Sequence, residues 1–185
     1  MPDNTSDPAG EWPKQYPLEL EDGRKVIAEI SPITLADVKP IEEAYKKFSD
    51  TSLYGRFFTV PNVLPYHNLA DRVSHLDHKT REALVARLGG RVIGIANYAP
   101  DPDVPGTVEA AAIIADDVQR RGLGTFMLRQ LVRIAHDRGN RKLAVEYLLS
   151  NNAVKAILAK FVDTLISEED YGISKRAVYN LDKGT

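Results

Sequence analysis

A short polar turn between an apolar strand and an amphipathic helix constrains this 185-residue chain more than any other feature. The segment is AAAIIADDVQRRGLGTFMLRQLV, in which the apolar run ends at Ala115. A helix is predicted from Gly122 to Arg138, because apolar residues recur there at helical spacing and Gly139 is a typical stop signal. The apolar face of this helix consists of Leu123, Met127, Leu131 and Ile134.

The chemistry of this turn favours a phosphate-bearing ligand. Backbone N–H groups at a helix start lack acceptors within the helix, and the helix dipole adds positive charge there. Gly122 and Gly124 let the main chain approach a ligand closely, so the turn predicts a pyrophosphate site. Arg120 and Arg121 add charge, and Thr125 adds a hydroxyl. The alternative is a plain glycine turn beside a solvated arginine pair, since two glycines alone are a weak signal.

The remaining pattern predicts one mixed α/β domain. A hairpin is expected around Asp22-Gly23, and a second one is expected around Gly89-Gly90, between ALVARL and VIGIANY. TVEAAAIIA and LAVEYLL read as buried strands, and Asn151 or Asn152 as the cap of a helix that runs to about Phe161. The end of the chain reads as a closing hairpin, with the run 167–170 as a turn.

Two segments before the second hairpin complete the pattern. Residues 1–17 are rich in polar residues and proline and are predicted to be a flexible tail, which leaves 18–185 as the domain. Thr34 and Asp37 resemble a capping box, and Pro40 is expected to bend the following helix or delay its start. The apolar face of that helix is predicted to hold Leu35, Val38, Ile41, Tyr45 and Phe48. A further short helix is expected around 68–76.

Composition excludes several classes of function. The chain has no cysteine, so disulfides, thiolate metal sites and a cysteine nucleophile are excluded. A net charge of -2 argues against a dedicated nucleic-acid binder. No run approaches the ~20 apolar residues of a membrane span, so a soluble, cytoplasmic protein is expected. His75 and His78 with Asp71 have helical spacing, but without a third converging ligand we predict no metal site.

Gln119-x-x-Gly122-x-Gly124 after a strand, followed by a helix, a strand and an Asn-capped helix, resembles the GCN5-related N-acetyltransferase (GNAT) family. The resemblance extends from about Leu18 to Leu181. The segment SLYGRFF at 52–58, Asp77-His78 and Glu109 are similar to the bacterial protein lysine acetyltransferase group. The family implies an α/β, single-domain fold whose sheet is mostly antiparallel, with splayed central strands flanked by helices.

The resemblance also implies a set of binding residues for acetyl-CoA, the acyl donor. Backbone groups of Ala112, Ile113 and Ile114 would bind its pantetheine arm, and a free N–H near Ile114 would donate to the developing oxyanion, worth about 3 kcal/mol when preorganised. Asn151 would contact the coenzyme as well as cap its helix. The pyrophosphate would be wrapped by Gln119, Arg120, Arg121, Gly122, Leu123, Gly124 and Thr125.

The proton acceptor is expected to be a carboxylate. Glu109 lies in an otherwise apolar run, and partial burial raises a carboxyl pKa toward the working range of a general base. The alternative is a strand-edge glutamate in water or paired with an arginine. Glu146 is the second candidate, although a structural pair explains it as well. Many family members carry a tyrosine on this helix that protonates the leaving thiolate, but Leu158 stands at that position here. Either the thiolate leaves without assistance, as its modest basicity permits, or Tyr147 or Tyr171 supplies the proton.

These residues predict an acetyl-CoA-dependent N-acetyltransferase acting by direct attack of a primary amine, from a protein lysine or a small molecule, in a ternary complex. One alternative is a transferase for another acyl-CoA, such as succinyl- or propionyl-CoA. Another is a catalytically silent acyl-CoA-binding sensory module, which Leu158 favours. The family resemblance also allows a homodimer.

Overall fold

The computed structural model describes residues 12–58 and 68–183. Its strands are β1 (Lys14–Glu19), β2 (Lys25–Pro32), β3 (Glu82–Leu88), β4 (Arg91–Pro100), β5 (Thr107–Ile114), β6 (Lys142–Leu148), β7 (Leu165–Tyr171) and β8 (Ser174–Asn180). Its α-helices are α1 (Val38–Tyr45), α2 (Asp50–Phe57), α3 (Leu69–Ser74), α4 (Leu123–Asp137) and α5 (Asn152–Leu158). Short 3₁₀ turns precede α1 and α4 and follow α5 and β8.

The strands form one sheet in the order β1-β2-β3-β4-β5-β6-β8-β7. Every neighbouring pair is antiparallel except β5 and β6, which are parallel. Their pairing spans only three residue pairs, from Thr107↔Lys142 to Glu109↔Ala144, although both strands continue beyond it. The two central strands therefore diverge. This confirms the predicted mostly antiparallel sheet with splayed central strands.

Helix α4 packs its predicted apolar face into the core. Leu123, Met127, Leu131 and Ile134 are all buried, and the helix contacts β4 and β5. It is also the longest helix, with 15 residues. Within the part of the chain that the structure describes, no helix is long and apolar enough to cross a membrane.

The start of α1 explains how Pro40 fits a helix. The backbone N–H of Thr34 donates to the Asp37 carboxylate at 2.8 Å, as the predicted capping box requires. Because α1 begins at Val38, Pro40 lies in its first turn, where its missing N–H has no intrahelical acceptor to lose. The predicted apolar face was wrong at Leu35, which is 62% exposed because a 3₁₀ turn rotates it away from the core.

Three other predictions need correction or lie outside the described residues. Residues 14–17, placed in the flexible tail, belong to β1, and Tyr16 packs against the core. The run 167–170 is not a turn but part of β7; the chain reverses at Gly172 instead. Residues 1–11 of the predicted tail lie outside the described residues.

Asp37 links the start of α1 to the sheet, and its charge is expected to stabilise the fold. Burial alone would raise the pKa of Asp37, but hydrogen bonds from Arg87 and Thr34 outweigh it and hold the pKa below its ordinary value. We expect Asp37→Asn to lower the free energy of unfolding by about 2 kcal/mol at pH 7, measured by urea denaturation. Because the pKa is depressed in the folded state, this difference should narrow as the pH falls below about 3.8.

Asp22→Asn is the matched control. Asp22 also accepts a hydrogen bond from an arginine, Arg24, but both side chains are exposed. Little change in stability is expected there, because water screens exposed pairs. Equal losses in the two variants would contradict a structural role for the charge of Asp37.

Candidate functional site

The site begins where β5 leaves β6. The N–H of Ala115 donates to Ile93 O of β4 at 2.9 Å. Since backbone groups alternate along a strand, the N–H groups of Ala112 and Ile114 point away from β4, into the gap between β5 and β6. Ile113 turns its backbone groups to β4 and buries its side chain. The opened edge thus presents main-chain donors of Ala112 and Ile114 to an extended ligand.

The two faces of the sheet at this gap differ. A methyl group built on Gly94 would lie 2.9 Å from Ile114 and 3.0 Å from Met127, so the side chain of Ile114 is on the α4 side. Side chains alternate between the two faces of a strand, and an odd number of positions separates Glu109 from Ile114. The side chain of Glu109 therefore faces the opposite side of the sheet, which α2 covers. A ligand entering along α4 and one entering beneath α2 would meet in the gap.

The N-terminus of α4 offers the unpaired donors that the sequence predicts. The first helical hydrogen bond runs from Phe126 N–H to Gly122 O at 2.9 Å, which leaves the N–H groups of Leu123, Gly124 and Thr125 without intrahelical acceptors. The side chain of Leu123 is buried, so only its backbone can serve the site. Gly124 lies between the sheet and α5, and a methyl group there would be 3.5 Å from both Ile114 and Ile157.

Tyr16 of β1 holds the turn before α4. Its hydroxyl donates to Arg121 O at 3.0 Å, and its ring lies 4.9 Å from that of Phe126. Gly122 has a φ of 85°, and a Cβ at this position would lie only 2.2 Å from the Tyr16 hydroxyl. The glycine is therefore required by conformation and by close approach. Sequence reasoning missed Tyr16, because its strand was taken as part of the tail.

The two arginines of the turn have different environments. Arg121 Nη1 donates to Glu19 O at 2.7 Å, and Nη2 lies 3.6 Å from a carboxylate oxygen of Glu21, so its charge is held at the β1–β2 hairpin. Arg120 is exposed and has a φ of 59°. Of the two, Arg120 is the cation that remains available to a ligand at the turn.

Gln119 serves as a brace within the site. Its Nε2 donates to Ser52 Oγ at 2.8 Å and to Ile114 O at 2.9 Å. Asp116 also contacts this corner, accepting from the hydroxyls of Ser49 at 2.7 Å and Ser52 at 2.8 Å. Burial opposes the charge of Asp116, but these hydrogen bonds keep its pKa below the ordinary value. Together they fix α2 to the end of β5.

Asn151 caps α5, as predicted. Its Oδ1 accepts from the backbone N–H of Val154 at 3.1 Å. A methyl group built on Gly55 of α2 would lie 3.4 Å from Asn151 Nδ2, so α2 approaches the end of β6 closely. Contact of Asn151 with a coenzyme stays a prediction.

A row of polar side chains crosses the α2 face of the sheet beside the gap. Asn97 opposes Ala111, Glu109 opposes Ala144, and Glu146 opposes Arg176, which places the polar members of these pairs on one face. From α2 above them, Arg56 Nη2 donates to Asn97 Oδ1 at 2.9 Å. The row brings both predicted base candidates to the same face of the sheet.

Glu109 has the features of a proton acceptor more clearly than Glu146. Burial raises the pKa of Glu109, the charge of Glu146 raises it further, and Arg56 lowers it. The side chain of Glu109 is still 41% exposed, so an acceptor can reach it. Glu146 accepts a hydrogen bond from the Ser174 hydroxyl at 2.7 Å, which supports the structural role considered for it.

The residues considered in connection with proton donation to a thiolate differ in their burial and partners. Leu158 is buried in the core. The exposed Tyr171 donates to a Glu169 carboxylate oxygen at 2.6 Å. Tyr147 is buried on the face opposite Glu146.

The histidines discounted as metal ligands have other partners. His78 Nδ1 lies 3.0 Å from Glu82, which also accepts from Arg138 at 2.6 Å, and His75 contacts the backbone carbonyl of Asp71. Among residues 12–58 and 68–183, no group of three His, Cys, Asp or Glu side chains converges as a metal site would.

This is an α/β protein in which two central strands separate beside a helix N-terminus that carries glycines. Comparison with known proteins identifies its family. Residues 48–161 match the model of the acetyltransferase (GNAT) family. The chain belongs to this family. Membership confirms the predicted enzyme class, N-acetyltransferase.

Individual relatives agree with this assignment. Acetyltransferase Pat of Mycolicibacterium smegmatis is 26% identical over 146 residues, which cover 78% of this chain and 43% of that protein. The chain therefore spans less than half the length of that relative. The solved GNAT domain of S. lividans PAT is 26% identical with a TM-score of 0.73, covering 92% of this chain and 99% of that one.

A more distant solved structure carries the coenzyme. It is an acetyltransferase from Salmonella typhimurium with acetyl-CoA, 19% identical with a TM-score of 0.68, covering 84% of this chain and 95% of that chain. At this identity the similarity concerns the fold.

Gly124→Val tests the predicted pyrophosphate site. The Cβ itself meets only ordinary contacts, but the added methyl groups would stand among the free N–H groups of α4. We expect the affinity for CoA, measured by calorimetry, to fall by about tenfold or more, the loss of about one hydrogen bond to a charged group.

Arg133→Val, on the exposed side of the same helix, is the control and should retain CoA affinity. Circular dichroism and thermal melting establish that both variants are folded. Unchanged affinity in a folded Gly124→Val variant would place the pyrophosphate elsewhere.

Proposed function

We propose that this chain transfers the acetyl group of acetyl-CoA to a primary amine by direct attack within a ternary complex, with Glu109 as the general base. The observation that carries the proposal is the position of Glu109, half-exposed on the α2 face where β5 and β6 separate. An amine held there lies on one side of the gap, while the coenzyme would enter from the other.

The proposed coenzyme site uses backbone donors. The N–H groups of Leu123, Gly124 and Thr125, with the dipole of α4, would bind the pyrophosphate, and exposed Arg120 would add charge. The N–H of Ala112 would pair with the pantetheine arm, and that of Ile114 would donate to the carbonyl oxygen as negative charge develops. Gln119 Nε2 braces Ile114, and contact of Gln119 with the coenzyme stays a prediction.

The reaction then needs one proton acceptor and one leaving group. The amine nitrogen attacks the thioester carbonyl carbon, a C–N bond forms, and Glu109 accepts the proton that the nitrogen loses. The C–S bond breaks and CoA leaves as a thiolate, whose modest basicity requires no acid from the protein. Raising the pKa of Glu109 strengthens it as a base, provided that the working pH stays above that pKa.

A protein lysine is the proposed acceptor. The support is the resemblance of SLYGRFF, Asp77-His78 and Glu109 to the bacterial protein lysine acetyltransferase group, together with a Glu109 side chain that is exposed enough to be reached. A small-molecule amine and another acyl donor remain alternatives. A cytoplasmic location and a homodimer stay predictions of the sequence.

A catalytically silent acyl-CoA-binding module is the second candidate. The observation that favours it is the buried Leu158. Many family members carry at this position a tyrosine that acts as the general acid. Tight acetyl-CoA binding without thiol release across lysine peptides and small amines would support this function over the enzyme.

Glu109→Gln tests the base. Since the amide cannot accept the proton, we expect turnover with acetyl-CoA and a lysine peptide to fall by about 100-fold, with the affinity for CoA unchanged. In the wild-type chain, the acid limb of the pH–rate profile should lie above pH 4.5, because the pKa of Glu109 is raised.

Two matched glutamate variants complete the experiment. Glu29→Gln changes an exposed strand glutamate and should leave turnover intact. Glu146→Gln distinguishes the two candidates: a loss there, with Glu109→Gln fully active, would transfer the role of base to Glu146.

A further inference from the structure

Arg176 and Asp101 form an arrangement behind Glu109 that the sequence did not suggest. Arg176 lies on β8 with its side chain 14% exposed, and Nη2 donates to Asp101 Oδ2. Its other arm, Nη1, reaches Glu109 Oε2 at 3.5 Å. One guanidinium thus connects a buried carboxylate to the proposed base.

Asp101 is fixed more rigidly than the surface carboxylates. Its side chain is only 1% exposed, and its Oδ1 accepts from the backbone N–H groups of Asp103 at 2.8 Å and Val104 at 3.1 Å. Its own N–H donates to Thr107 O at 2.9 Å, which ties the end of β4 to the start of β5. The position of Arg176 is therefore set by the connection between these strands.

We propose that Asp101 and Arg176 are positioning residues for Glu109: Asp101 neutralises Arg176, which then orients Glu109 through Oε2 without suppressing its basicity. This inference rests on the proposed function of Glu109. Among the described residues, Oε1 of Glu109 has no hydrogen-bond partner, and this is the oxygen left for the amine proton.

The charges around Glu109 agree with this division of roles. Facing it are Arg56 from α2, Glu146 from β6, Asp103 from the β4–β5 connection and Arg176 with Asp101 behind it. A lone arginine at this distance would be expected to lower the pKa of Glu109. The pKa is instead raised, first by burial and then by Glu146. The pairing of Arg176 with Asp101 agrees with this direction, because a cation already neutralised by one carboxylate attracts a second one less strongly.

Two substitutions should change Glu109 in opposite directions. Among the described residues, Asp101→Asn leaves Glu109 as the one carboxylate in contact with Arg176, so the pKa of Glu109 should fall by about one unit. Arg176→Gln removes the cation and leaves the charge of Asp101 unmatched, so the pKa should rise by a similar amount. Lost packing alone would not produce shifts of opposite sign.

The experiment measures the titration of Glu109 directly. The chain is labelled with ¹³C at the glutamate side-chain carboxyl, and Glu109 is assigned by the signal that disappears in Glu109→Gln. The pH–rate profile with acetyl-CoA and a lysine peptide is recorded alongside, and its acid limb should shift with the titration. Lys175→Gln is the control, because it removes a cation from the neighbouring residue on the opposite face of β8 and should leave Glu109 unchanged.

Each outcome has one meaning. Opposite shifts in the two variants support the proposal, whereas shifts of the same sign or none in folded variants overturn it. If Glu109 titrates as expected but Glu109→Gln is fully active, the positioning is real and the base assignment fails. Arg176→Lys keeps the positive charge but cannot contact Asp101 and Glu109 with two separate nitrogen atoms. We expect it to preserve the pKa of Glu109 within about half a pH unit while lowering turnover. Unchanged turnover would contradict the orienting role of Arg176.

Discussion

The separation of β5 from β6 is the constraint on which the rest of this structure depends. Backbone N–H and C=O groups on a strand need partners, and an edge that opens inside a sheet leaves some of them unpaired. Here the pairing ends at Glu109 and Ala144, so Ala112 and Ile114 direct donors into a gap. In the proposed complex, the extended pantetheine arm of acetyl-CoA would supply the missing partners and would lie between the glycine turn and the carboxylates.

The elements around that gap are joined by contacts between parts of the chain that are remote in sequence. Tyr16 fixes the turn before α4 from the first strand, 105 residues away, and Gln119 and Asp116 fasten α2 to the end of β5. These groups pair with one another, so they shape the site without occupying it. The available groups are the main-chain donors of α4, the exposed Arg120 and the half-exposed Glu109.

Much of the fold could be predicted because many of its helices and turns are encoded by residues that are close together in the sequence. The period of α4, the hairpin glycines and the capping box at Thr34 each depend on residues close in sequence. Predictions failed where tertiary packing overrides a local pattern. The run 167–170 has the polar composition of a turn, yet β8 pairs with it and makes it an edge strand. The segment around Tyr16 has the composition of a tail, yet β2 pairs with it.

By itself, the sequence determined the family, the strand–turn–helix that offers free N–H groups, and Glu109 as a titratable residue in an apolar strand. The family follows from the resemblance of the motif at 119–124, and the other two features follow from periodicity, from glycine and from the placement of one charge, all of which are local. Only the tertiary structure decided that Arg121 is held by the first hairpin, that Gln119 is a brace and that Arg176 lies between Asp101 and Glu109. Each of these contacts joins strands or helices far apart in the chain, and their geometry exists only after the sheet has set its register.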